Sequence, residues 1–213
     1  MNETPEPDTD LQPALDALAA RDADIARALD TCGLPPRREM PGGFAGLARA
    51  IVAQQVSAQA ARAIMGRLTT ALPALTPEAI LDLDAEQARA VGLSRPKLGY
   101  LQGLARAVAA GDLDFDALAA ESDEAVMTRL TAFKGVGRWT AESFLLFGLR
   151  RPDVFPAQDL ALQHAARRLK ALPARPDAAH LRDLAEAWRP WRSAAARFLW
   201  HIYRHPGLPE SDG

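Results

Sequence analysis

The stretch FKGVGRWTA, Phe133 to Ala141, decides how this chain is read. Upstream of it Ser122, Asp123 and Glu124 make a helix start, and Val126, Leu130 and Phe133 fall at i, i+4 and i+7 on one apolar face. That helix ends at Lys134, and the next begins at once on Arg138. Glycine takes backbone angles closed to other residues, so Gly135 and Gly137 let the chain reverse within three residues. The reversal leaves the first N–H groups of the second helix with no side chain over them. Such a terminus suits an anion, above all a phosphate of a nucleic-acid backbone. From Gly-Val-Gly alone, a tight helix–helix corner with a glycine C-cap is the simpler account.

Outward from the hairpin, alanine, leucine and arginine dominate, and no segment alternates with period two. The periodicity predicts helices near 11–30, 44–54, 57–71, 77–82, 84–91, 95–110, 114–119, 122–133, 138–147, 159–170, 177–187 and 190–204. Gly33–Gly43 reads as a linker, and ALPALTPEA and ALPARPD as turns between short helices. The expected fold is all-α, with two helical lobes and a cleft between them. One lobe runs over 44–151 and carries the hairpin (122–147); the other joins 11–43 to 152–207. Residues 1–10 are expected to be disordered and 208–213 to form a flexible tail.

At 213 residues and 48% hydrophobic content the chain can bury a sizeable core. Its single cysteine, Cys32, excludes a disulfide framework, an all-cysteine iron–sulfur cluster and a CxxC zinc site. The acidic, proline-bearing start is unlike a signal peptide and no apolar run reaches membrane-spanning length, so a cytoplasmic location is expected. The net charge of −2 hides an asymmetry. Residues 1–30 hold eight acids against two arginines, whereas 131–205 hold 13 Lys and Arg against six acids, with all four histidines. A basic C-terminal third fits either a solvated helical surface or a one-sided footprint for a polyanion.

Taken in full, LTAFKGVGRWTA resembles the helix-hairpin-helix of the DNA glycosylase superfamily. RAIVAQQVSAQAA (Arg49–Ala61), VGLSRPKLGYLQGLA (Val91–Ala105), DVFPAQDLALQ (Asp153–Gln163) and WRPWRSAAARFLW (Trp188–Trp200) resemble its other landmarks, in the same order. The similarity is strongest to the bacterial 3-methyladenine DNA glycosylase II type, in a compact form without the N-terminal β-rich domain. It implies a catalytic aspartate at Asp159, twenty residues after Trp139. By itself Asp159 reads as the cap of the helix that follows, and the two roles are compatible because a helix N-terminus favours negative charge.

The resemblance also implies a base pocket at Trp139 and Trp191, with Ser143 and Leu160 where the best-known relative has tyrosines, so that the pocket is roomier. Indole faces attract a cationic base. Trp188 and Trp200 read as core. Gln55 matches the wedge that fills the gap left by a flipped nucleotide, and reads equally as part of a solvated helix junction. Phosphate contacts are implied at Gly135, Gly137, Arg138, Thr140 and Lys134, and Arg95 and Lys97 are further candidates; Ser57 and Ser94 read as helix caps. The resemblance suggests a monovalent or other hard cation on the backbone carbonyls of Thr131, Phe133 and Val136, and otherwise no required cofactor.

Relatives that cleave the backbone carry a lysine where Trp139 stands, and Lys134 lies on the other side of Gly135. The resemblance therefore implies a monofunctional, monomeric glycosylase acting on damaged double-stranded DNA. A glycosylase for uracil, mismatched thymine or oxidised purine, and a helix-hairpin-helix protein that only binds DNA, are the alternatives.

Overall fold

The computed structural model describes residues 6–38 and 40–205. These residues form helices throughout, and their one β contact is an isolated bridge between Pro7 and Pro36. No helix among them is long and apolar enough to cross a membrane. Backbone contacts divide the chain into two compact units. One comprises Met40–Arg150; the other takes the described residues up to 38 together with those from Arg151 onward.

The Met40–Arg150 unit contains α3 (Gly43–Ala53), α4 (Ala58–Ala71), α5 (Pro77–Leu81), α6 (Ala85–Ala90), α7 (Arg95–Ala109), α8 (Phe115–Ala120), α9 (Asp123–Thr131) and α10 (Arg138–Ser143), the last continuing into a π turn at Phe144–Gly148. Its core is built on α3, where Phe44, Leu47, Ala48, Ile51 and Val52 are buried, and α4, α7, α8, α10 and the π turn pack around it. Most helix starts use short polar side chains that accept a bond from the first free N–H groups: Ser57 from Ala60, Ser94 from Lys97 and Ser122 from Ala125. Gly137, at the start of α10, has no such side-chain bond.

The other unit contains α1 (Gln12–Ala19), α2 (Ala23–Cys32), α11 (Leu160–Leu169), α12 (Ala178–Ala185) and α13 (Arg192–Arg204). Described segments from before residue 38 and after residue 151 meet in it. Lys170 Nζ donates to both Asp22 oxygens, at 2.6 and 2.7 Å, and to Asp24 at 2.9 Å, while the indole N–H of the buried Trp188 donates to Asp22 at 2.9 Å. Burial alone would raise the Asp22 carboxyl, but the bonds from Lys170 and Trp188 outweigh it and hold it below the ordinary value. His201 donates to the Cys32 carbonyl at 2.9 Å, and Arg168 caps the end of α13 through the carbonyls of Ile202 and His205.

Two expectations are corrected here. The single helix over 11–30 is two helices, because Asp22 leaves the helical path to accept the N–H groups of Asp24 and Ile25 as the cap of α2. Of the start expected to be disordered, residues 1–5 lie outside the described residues, but 6–10 are ordered: Asp8 is buried and ion-paired to Arg197. Residues 208–213 also lie outside the described residues.

Candidate active-site residues and DNA interface

In the hairpin, α9 ends at Thr131 and the chain turns through Phe133–Gly137, closed by the Val136 N–H donating to the Phe133 carbonyl at 3.0 Å. Gly135 has φ +88°, and a Cβ there would lie 2.3 Å from the Tyr100 ring, so both conformation and space demand glycine. Gly137 has φ −82° and open space where its Cβ would be. Lys134 and Arg138 are exposed, Arg138 pairing with the buried Glu142 at 2.8 Å. The Thr131, Phe133 and Val136 carbonyls are an all-oxygen donor set of the kind a hard cation takes, and the Phe133 oxygen keeps a second lone pair beyond its turn bond. Among the described residues no cluster of acidic, histidine or cysteine side chains could hold a metal.

Two polar side chains of this unit are engaged by the fold itself. Thr140 is buried and its hydroxyl accepts from Gln54 Nε2 at 2.8 Å, so its side chain faces inward. Lys97 points its ammonium at the Val52 and Gln54 carbonyls, at 2.7 and 2.6 Å, capping the end of α3, and burial pulls its pKa below the ordinary lysine value. Neither role was visible in the sequence, nor was that of Gln54, whose amide N–H groups also reach the Gly135 carbonyl at 2.8 Å and tie the α3–α4 turn to the hairpin. Gln55, the next residue, is exposed and sits at φ +53°, a strained angle for a side chain of that size. Trp139 is 36% exposed, while Ser143 is buried and its hydroxyl has no hydrogen-bond partner among the described residues.

In the other unit Asp159 caps α11, accepting the Leu162 N–H at 3.0 Å, and its side chain is half-buried. The loop before it is fixed from within: Val154, Phe155 and Ala157 are buried, and the buried Gln163 side chain donates to the Ala157 carbonyl at 3.0 Å. Leu160 is exposed, as is Trp191 at 36%. The Trp191 loop is clamped to the segment leading to Asp159. Arg192 binds both carboxylate oxygens of Asp153, at 2.8 and 3.0 Å, Arg189 adds a third bond, and Ser193 accepts the Val154 N–H at 2.9 Å and donates to the Arg151 carbonyl. A bidentate pair of this kind holds a loop by geometry as much as by charge. Trp188 and Trp200 are buried in the core.

A family model described as HhH-GPD superfamily base excision DNA repair protein matches residues 48–190. The chain belongs to the HhH-GPD superfamily. That span holds the hairpin, the α3–α4 turn and Asp159. The chain is 39% identical over 160 residues to DNA-3-methyladenine glycosylase 1 of Schizosaccharomyces pombe, covering 72% of this chain and 69% of that one. It is 32% identical over 126 residues to DNA-3-methyladenine glycosylase 2 of Escherichia coli, spanning 42% of that protein's length. The solved structure of Schizosaccharomyces pombe 3-methyladenine DNA glycosylase in complex with abasic DNA superposes with a TM-score of 0.84 at 33% identity, covering 92% of this chain and 99% of that one.

Proposed function

We propose that this protein is a monofunctional DNA glycosylase that excises alkylated bases, 3-methyladenine among them, from double-stranded DNA and leaves an abasic site. The observation that carries the reading is the half-buried Asp159 carboxylate, fixed as a helix cap on a pinned loop, in an HhH-GPD chain whose structural relative is bound to abasic DNA.

The hairpin N–H groups at Arg138 and Trp139 hold a backbone phosphate, and Lys134 and Arg138 add positive charge around the hairpin. The damaged nucleotide swings out of the stack, at a cost of a few kcal/mol that is smaller for damaged pairs. Gln55, already in its strained turn, occupies the gap. Trp139 and Trp191 offer indole faces to the cationic base, each worth about 1–2 kcal/mol when desolvated. An N-alkylated base carries positive charge and leaves as a neutral molecule with the electron pair of the glycosidic bond, so no group need protonate it. The sugar becomes oxocarbenium-like, and the Asp159 carboxylate stabilises it until water adds at C1′ and gives up a proton. With tryptophan in the position where lyase relatives carry lysine, no amine forms a Schiff base with the sugar. Small or aliphatic side chains at Ser143 and Leu160 extend the range to bulkier alkylpurines. A hard cation on the hairpin carbonyls would add positive charge beside the phosphate.

Incubation with methylated duplex DNA, with released bases identified by mass, tests the reading. The wild type releases 3-methyladenine, and borohydride traps no covalent adduct. Asp159→Asn keeps an oxygen to cap α11 and binds DNA, but releases no base. Release at the wild-type rate from Asp159→Asn removes the proposed mechanism.

A further inference from the structure

Beside the hairpin, over the first turns of α7, lies an open groove of ≈ 460 Å³ lined by Arg95, Pro96, Gly99, Tyr100 and Lys134. Two of its five lining residues are exposed cations, none is acidic, and neither Arg95 nor Lys134 enters an ion pair among the described residues. The groove adjoins the hairpin through two links: Lys134 directly precedes Gly135, and Tyr100 is the residue whose ring Gly135 accommodates.

Gly99 makes this more than a patch of surface charge. It lies within the 15-residue helix α7, where glycine is less stable than alanine or leucine. Its φ is not in the left-handed region, and beyond its chain neighbours and the backbone of its own helix no atom lies within 4 Å of where a Cβ would be. Nothing in the fold therefore requires glycine at 99, in contrast to Gly135. What its missing side chain leaves is room in the groove between Arg95 and Lys134.

We propose that this groove is a second backbone site, which takes one phosphodiester of duplex DNA through the Arg95 fork and the Lys134 ammonium while the hairpin main chain holds another. The proposal rests on the DNA-acting function given above. It assigns Gly99 the role of letting the sugar–phosphate chain come close to the helix.

The test uses Gly99→Leu and Arg95→Gln in the full chain, with binding to an undamaged duplex measured by fluorescence anisotropy from 50 to 300 mM KCl. Leucine favours the helix over glycine, so Gly99→Leu keeps or raises the melting temperature. Each variant removes one phosphate contact, which lowers the slope of log K against log salt by about 0.9 and weakens binding about eightfold at 0.1 M salt. Stability and affinity thus move in opposite directions in Gly99→Leu, which a purely structural role would not produce. If both variants bind with the wild-type slope and affinity, the groove is not a phosphate site even though the protein acts on DNA. If the wild type itself does not bind duplex DNA, the functional reading fails first, and the groove with it.

Discussion

Replacing Gly135 with alanine isolates what the hairpin demands of its first glycine. The position has φ +88°, where a side chain is disfavoured by about 1–2 kcal/mol. A Cβ would also lie 2.3 Å from two ring atoms of Tyr100 and 2.8 Å from its Cβ. These atoms are close to the tyrosine backbone, so rotating the ring cannot clear them, and overpacking of this kind costs about 1–3 kcal/mol. Together the two effects predict a loss of roughly 2–5 kcal/mol in Gly135→Ala. Equilibrium urea unfolding reads this as a fall in midpoint of about 1 M or more at an m-value near 2 kcal/mol/M. The two parts separate by substitution. Gly135→Asn tolerates the left-handed angle but keeps the clash, whereas Tyr100→Ala combined with Gly135→Ala removes the two ring contacts at 2.3 Å and keeps the angle and the 2.8 Å approach to the Cβ of residue 100. The double variant is therefore more stable than the sum of its singles by about 1–3 kcal/mol. Additivity within about 0.5 kcal/mol would show that the Tyr100 ring is not what glycine accommodates.

Two further outcomes follow from the buried charges. Asp24, chiefly through its bond to Lys170, and Asp22 both titrate below ordinary aspartate, so the stability they contribute is present above about pH 4 and lost as pH falls through their folded values. Burial lowers Lys170, but its bonds to the two carboxylates win and raise it, so its contribution is full below about pH 10.4 and lost as pH rises through its folded value. Lys170→Met accordingly flattens melting temperature against pH between about 5 and 2.5, and an unchanged acid limb would contradict the assignment. Lys97→Met leaves the Val52 and Gln54 carbonyls without their donor and lowers stability, yet keeps the wild-type salt slope in DNA binding; a slope lower by about 0.9 would return Lys97 to the phosphate contacts.

Why some of this was legible in the sequence and some was not comes down to range. The starts at Ser57, Ser94, Ser122 and Asp159 were readable because a cap acts on N–H groups two or three residues away. At Asp22 the cap is just as local, but alanine, leucine and arginine on either side hide the break, and what fixes the carboxylate there, Lys170 and Trp188, lies 148 and 166 residues away. Lys97 misled for the same reason. A lysine after a proline turn reads as a surface cation, and only the folded chain brings the end of α3, 43 and 45 residues away, to its ammonium. Of the pair Gln54 and Gln55, the sequence offers no means of telling which side chain turns inward. The structure decides it with the positive φ of Gln55, which sends that side chain out and leaves Gln54 to bridge the hairpin. The resemblance located candidate residues without saying which atoms the fold had already engaged.

The hairpin glycines then stand for two different requirements, although the sequence writes them alike. Gly135 is required from inside, by its own angle and by the Tyr100 ring, and would be needed whether or not the protein met DNA. Gly137 meets neither condition: its angles suit any residue, its Cβ position is open, and serine or aspartate there would cap α10 as Ser57, Ser94 and Ser122 cap their own helices. A cap would answer the first N–H groups of α10 from within the chain and stand where an approaching phosphate must come. Leaving that start bare is a small sacrifice of stability, a few tenths of a kcal/mol for glycine against the better caps, and it makes sense where an outside anion completes the bonds. Gly99 poses the same question one helix away, where the fold is again indifferent to a side chain and only a ligand would object.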